Sequence, residues 1–165
     1  MIIELEPVFN NIGYEKSFDY ELITEDCQIT GINPFIKPIA VKGFVRNRAG
    51  IVEIKAQAIA DMQLFCDRCA AEIYKKLIVP INHVLVTKLN NEDNDDFLVV
   101  GDMRFDLDPL AREDILLELP TKVLCRDDCK GLCPQCGKNL NQEPCSCEKP
   151  IDPRLEALRQ LLDNN

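Results

Sequence analysis

The sequence has 165 residues, no tryptophan and one histidine, His83. It contains no G-x-S-x-G elbow, no phosphate-cradling glycine loop and no dinucleotide fingerprint. A nucleophilic triad needs a histidine beside its nucleophile, and bound phosphates need closely spaced glycines. These shortages argue against a triad hydrolase or a nucleotide-dependent enzyme, so a non-enzymatic role is expected. His83 lies in a β-rich stretch far in sequence from every cysteine pair, which points to a sheet or surface role. No apolar run approaches the roughly 20 residues of a membrane span. The start, Met1 to Glu6, lacks the basic residues and long apolar run of a signal peptide. No repeat suggests a solenoid. The expectation is a cytoplasmic protein with no membrane contact and no evident small-molecule substrate. In that reducing compartment, clustered thiols favour metal or redox chemistry over structural disulfides.

Cysteine, by contrast, is plentiful. There are nine, and six fall between residues 125 and 147. In Cys133-Pro134-Gln135-Cys136-Gly137, proline presets φ and glycine frees the backbone to curl, so amides can point at sulfur. That is the pattern of a zinc knuckle. A structural zinc takes four ligands in a tetrahedron, and Cys145 and Cys147 are placed to complete it. A redox CxxC should instead open a helix after a strand, and here prolines and glycines surround the pair. Cys66-Asp67-Arg68-Cys69 forms a second knuckle at the tip of an expected hairpin, with two ligands to find. Cys125 and Cys129 are the candidates, giving one or two zinc ions in all. A competing grouping joins Cys129 to Cys133 and Cys136 in one site. Cys27 stands alone and reads as a small buried apolar residue.

The net charge of −9 hides a pattern. Residues 1–36 carry one lysine and seven acids, residues 37–88 nine bases and four acids, and residues 89–165 nine bases and seventeen acids. A basic middle between acidic ends is consistent with a polyanion-facing surface. Lys37, Lys42, Arg46, Arg48, Arg68, Lys75 and Lys76 are the candidate RNA contacts. The alternative is that these charges sit on different faces and form no patch.

From Val52 to Leu64 the even positions are apolar and the odd ones largely polar, a period of two that marks a strand with one buried face. A partner strand near Ile39 to Val45 joins it through the turn Arg46 to Gly50. A shorter strand is expected over Lys16–Ile23, and one or two more from Ala71 to Lys88, with Pro80 at a bulge or edge. Residues 90–96 read as an acidic linker, without the glycine and distal glutamate of an EF-hand loop. Asp108 is placed to cap a helix over about 108–119, with Pro109 in its first turn. Asp152 and Pro153 repeat that device before a stripe of Leu155, Leu158, Leu161 and Leu162. The expected fold class is α+β: a mainly antiparallel, curved or barrel-like β-sheet with two short helices and a C-terminal zinc-knuckle segment. The expected domains are a β-rich core over 1–120 and a cysteine-rich segment with the last helix over 121–165.

The order of Cys66-x-x-Cys69, an acidic stretch, Asp108-Pro109, "CKGLCPQCGKNLN", "CSC" and "DPRL" resembles the YceD family of large ribosomal RNA subunit accumulation proteins. The resemblance covers roughly residues 10–163. It implies a cytoplasmic bacterial protein needed for normal accumulation of large-subunit (23S) ribosomal RNA. It also implies that relatives in some lineages keep the first CxxC while losing most of the terminal cluster. The expected function is a ribosome biogenesis factor that binds precursor ribosomal RNA or a basic ribosomal protein, without catalysis. The alternatives are a redox-regulated zinc chaperone, a protein-interaction adaptor and an RNA-processing enzyme.

Overall fold

A computed structural model describes residues 1–24, 33–88 and 97–147. The elements are β1 (Ile2–Glu4), α1 (Glu6–Asn10), β2 (Glu15–Leu22), β3 (Ile39–Arg48), β4 (Ile51–Phe65), β5 (Glu72–Val86), β6 (Phe97–Val99), β7 (Arg104–Asp106) and α2 (Leu107–Leu117). The chain divides into two compact units, Met1–Phe65 with Glu72–Val123, and Cys66–Ala71 with Leu124–Asn165. The short β4–β5 connection thus falls in the second unit. Cys27, the acidic linker and the last expected helix lie outside the described residues.

The first unit is built on a sheet of order β2-β3-β4-β5-β6, beside a two-stranded sheet of β1 and β7. The period of two in β4 does what it predicts. Val52, Ile54, Ala58, Ala60 and Met62 are buried, while their odd-numbered neighbours are not. Register carries that face across the sheet: Val41 lies opposite Ala58, which lies opposite Val79. Ile3 from β1, Leu5 from the cap of α1, and Val8, Leu107, Ala111 and Ile115 from the two helices belong to the same core. Burial of each large side chain there contributes about 1.5–3 kcal/mol.

The β3–β4 turn is tighter than the sequence implies. Arg48 pairs with Ile51, leaving Ala49 and Gly50 as a two-residue turn with φ of 52° and 87°. Positive φ at both positions matches the right-handed twist of a hairpin. Asn47 explains why an alanine is held there. Its buried side chain donates to the Val8 and Phe9 carbonyls at 2.9 and 3.2 Å and accepts from the Gly50 amide at 2.9 Å. It thereby ties α1 to the turn.

The expected cap of α2 needs correction, while the expectations for the sheet and for Pro80 become sharper. The sheet is mixed, because β6 runs parallel to β5. Among the described strands it is open, ending at β2 and β6, with no barrel closure. The cap of α2 is Asp106, whose carboxylate accepts from the Asp108 amide at 3.2 Å. Asp108 is already helical, and Pro109 sits in the first turn, where its missing N–H costs nothing. Pro80 lies opposite Gln57 in an unbroken register, so it marks an edge and no bulge; β6 covers β5 only at Val84–Val86. The helix α1 was not expected from the sequence, being only five residues long. No helix among the described residues is long and apolar enough to cross a membrane.

Candidate metal centres and open sheet face

The second unit has almost no conventional core. Among its described residues, every buried apolar side chain belongs to a cysteine: Cys66, Cys69, Cys129 and Cys133. The first CxxC closes the β4–β5 connection. The Cys66 amide donates to the Ala71 carbonyl at 2.8 Å, the Ala70 amide donates to the Cys66 carbonyl at 2.9 Å, and Ala70 takes a positive φ of 54°. The second CxxC is folded the same way, with the Gly137 amide on the Cys133 carbonyl at 2.9 Å and a positive φ of 71° at Gly137. In each knuckle the residue after the second cysteine takes the left-handed turn.

These curls bring eight thiols into two quartets. Cys66, Cys69, Cys125 and Cys129 form one, and Cys133, Cys136, Cys145 and Cys147 the other; within each, all sulfurs lie within 4.8 Å of one another. The single site joining Cys129 to Cys133 and Cys136 is not formed. Sulfurs placed about 2.3 Å from a central zinc at tetrahedral corners are about 3.8 Å apart. The first quartet has Cys66–Cys129 at 3.8 Å and Cys69–Cys125 at 3.6 Å. Each quartet could hold a metal ion such as zinc.

The thiols' electrostatics suit a cation. Burial pushes the Cys66 thiol up, but the backbone amides of Cys125, Cys69 and Arg68 bring it down to about 6. Desolvation and the neighbouring Cys129 and Cys69 thiols push Cys125 up to about 12. In the other quartet, the Cys136 and Gln135 amides bring Cys133 down to about 6, while the Cys136 thiol, burial and Cys133 push Cys147 up to about 12. One thiol in each group ionises readily and another resists, because like charges a few ångströms apart repel. A divalent ion removes that repulsion and lets all four ionise.

Two residues beside the sulfurs escaped sequence reasoning. Asn141 Nδ2 lies 3.3 Å from Cys129 Sγ, and Asn139 Oδ1 accepts from the Asn141 amide at 3.0 Å. The only signal in the sequence is a pair of asparagines, able both to donate and to accept, between the CxxC and the CxC.

The candidate cations scatter. The face of the sheet opposite the core carries Lys42, Arg46 and Lys76, but acids share it. Lys42 lies 2.8 Å from Asp19, Arg46 lies 2.6 Å from Glu53, and Glu53 also meets Lys55 at 3.1 Å. The Arg46 guanidinium further lies 5.1 Å over the Phe44 ring. Its hydrogen bond to Glu53 is the main reason that carboxyl is held below its ordinary range. Arg48 is exposed at the turn, and Lys75 alternates to the other side of β5 from Lys76. Arg68 serves the first knuckle, donating from Nη1 to the Cys129 carbonyl at 2.7 Å. Lys37 and Lys76 come together, each 3.9 Å from Asp61. They share with Lys75, Ile36 and exposed Tyr74 the lining of a shallow concavity of about 300 Å³. His83 faces α2, with Nε2 2.8 Å from Asp114 Oδ2, half-buried as part of the packing between β5 and that helix.

This arrangement belongs to a chain whose residues 54–162 match the model of the family described as "Large ribosomal RNA subunit accumulation protein YceD". That match covers well over half of the sequence, and the chain is a member of the YceD family. It is 28% identical over 156 residues to the uncharacterised protein YlbN of Bacillus subtilis, covering 90% of both chains. An uncharacterised protein of Mycobacterium tuberculosis is 34% identical over 101 residues, covering 59% of this chain and 49% of that protein. One from Mycobacterium leprae is 32% identical over 102 residues, covering 59% and 46% respectively. The chain thus spans about half the length of these mycobacterial relatives. No solved structure matches it significantly.

Proposed function

We propose that this protein is a non-catalytic, cytoplasmic assembly factor that supports accumulation of large-subunit ribosomal RNA by binding its precursor. The family description supports the ribosomal setting. The observation that carries the binding surface is the concavity of Lys37, Lys76 and Tyr74. Each ammonium has three donors, and one shared carboxylate at 3.9 Å leaves donors for phosphate. The exposed Tyr74 ring offers a stacking platform, worth about 1–3 kcal/mol per base in single-stranded RNA. Contacts of this kind are salt-sensitive and largely sequence-independent. Lys42 and Arg46, already held by acids, contribute less than the sequence implies.

Zinc at both quartets would hold the second unit's shape, with four thiolates closing the coordination shell and leaving no position for a reacting water. A basic ribosomal protein as partner is the rival outcome. Anisotropy titration of labelled large-subunit precursor fragments tests the reading. Lys37→Glu/Lys76→Glu should weaken binding at least tenfold and Tyr74→Ala by a similar factor. Wild-type affinity in both variants would reject this surface.

A further inference from the structure

The two thiol quartets are not neighbours by sequence alone. Cys129 to Cys133 is a five-residue segment with a member of the first quartet at one end and of the second at the other. It is bonded on both sides. On one, the Arg68 carbonyl, inside the first CxxC, accepts from the Leu132 amide at 3.0 Å, and the Arg68 guanidinium donates to the Cys129 carbonyl. Gly131, at φ +79°, lies where a Cβ would come within 3.0 Å of that same Arg68 carbonyl. On the other side, the Gly131 carbonyl accepts from the Leu140 amide at 2.9 Å.

Asn141 then crosses between the groups. It belongs to the loop between Cys136 and Cys145, which the second quartet closes, yet its side chain serves the first. Nδ2 points at Cys129 Sγ, and Oδ1 accepts from the Lys130 amide and from Arg126 Nη2, both at 2.8 Å. Nδ2 also donates to Asn139 Oδ1 at 2.9 Å, which fixes the amide's orientation. Partners that orient metal ligands commonly change affinity by 10–100-fold when removed.

Building on the reading of both quartets as metal sites, we propose that the two are energetically coupled and that Asn141 is the positioning residue that couples them. Metal at the second quartet fixes the loop that presents Asn141 to Cys129. By reciprocity, metal at the first fixes the segment that delivers Cys133. Each site therefore raises the other's affinity, on the order of tenfold.

Cobalt(II) titration of the full chain tests this, read by thiolate charge-transfer and d–d absorption with zinc as competitor. Wild type should take up two ions in one steep transition. Asn141→Ala should still bind two, but in two resolved steps, with first-quartet affinity lowered about tenfold or more. Cys145→Ser/Cys147→Ser removes the second site and should lower affinity at the first by a similar factor. Equal first-quartet affinity in wild type and in the double-serine variant overturns the coupling. Unchanged affinity in Asn141→Ala overturns the role of that residue. If Asn141→Ala takes up fewer than two ions, the double-serine comparison alone decides. Wild type that binds no cobalt and no zinc overturns the metal reading itself.

Discussion

Removing metal should unfold the second unit and leave the first standing. The first has an apolar core running from Ile3 through Ile54 to Ile115. The second buries cysteines and little else among its described residues. Its backbone ties are short, such as the Cys133 amide on the Lys138 carbonyl and the Leu140 amide on the Gly131 carbonyl. A structural zinc on thiolates carries an apparent ~10–16 kcal/mol near neutral pH, as large as the ~5–15 kcal/mol that holds a whole domain. If only about 4 kcal/mol of that protects the unit against opening, chelation raises the open population roughly a thousandfold, since each ~1.4 kcal/mol is tenfold. The assay is limited trypsin digestion with and without a strong zinc chelator, with metal content followed by native mass spectrometry. Cleavage at Arg68, Arg126, Lys130 and Lys138 should be slow with metal and fast without it. Amide exchange at Val41, Ile54 and Val79 should stay slow in both. Slow cleavage at those four sites in protein shown to be metal-free would refute the reasoning.

Other expectations follow from single residues. Asn47→Ala leaves the Val8 and Phe9 carbonyls and the Gly50 amide without their partner. It should cost about 2–4 kcal/mol and lower the Tm by roughly 5–15 °C, read by thermal denaturation. Arg46→Glu should change RNA affinity little beside Lys37→Glu/Lys76→Glu, because Arg46 is already held by Glu53; the double variant should also flatten the salt dependence by up to about two contacts. The Glu53 carboxyl is held below its ordinary value of 4.5, so the stability it adds is present above that pH and lost as pH falls through its lowered value. Glu53→Gln should therefore reduce the drop in urea midpoint between neutral and acid pH; an unchanged drop would show that the pair adds no pH-dependent stability.

The parts of the fold that were legible are those whose signal is local. β4 alternates cleanly because one face meets the core along its length, and the knuckles declare themselves because two thiols with two residues between them have few other uses. What escaped depends on distant partners. Ile2 pairs with Asp106 in a strand too short to show a period, and β6 joins β5 in parallel over three residues. Asp108, just before Pro109, reads as the cap in sequence, and only the backbone shows that Asp106 caps α2 instead. The charge pattern was only partly legible for the same reason. A run of lysines and arginines in sequence does not reveal that β2 lays Asp19 beside Lys42, or that the β3–β4 register lays Glu53 beside Arg46. Asn141 was invisible because its target, Cys129, belongs to the other quartet.

The central claim is direct contact with large-subunit precursor RNA through the Lys37, Lys76 and Tyr74 surface. The measurement that tests it most directly is crosslinking of the tagged, intact protein in growing cells, purification under denaturing conditions and sequencing of the attached RNA, in parallel for wild type and Lys37→Glu/Lys76→Glu. The account expects wild-type reads concentrated in the large-subunit precursor and strongly depleted in the variant at equal protein level. Reads no richer than an untagged control, or equal enrichment in the variant, would contradict it.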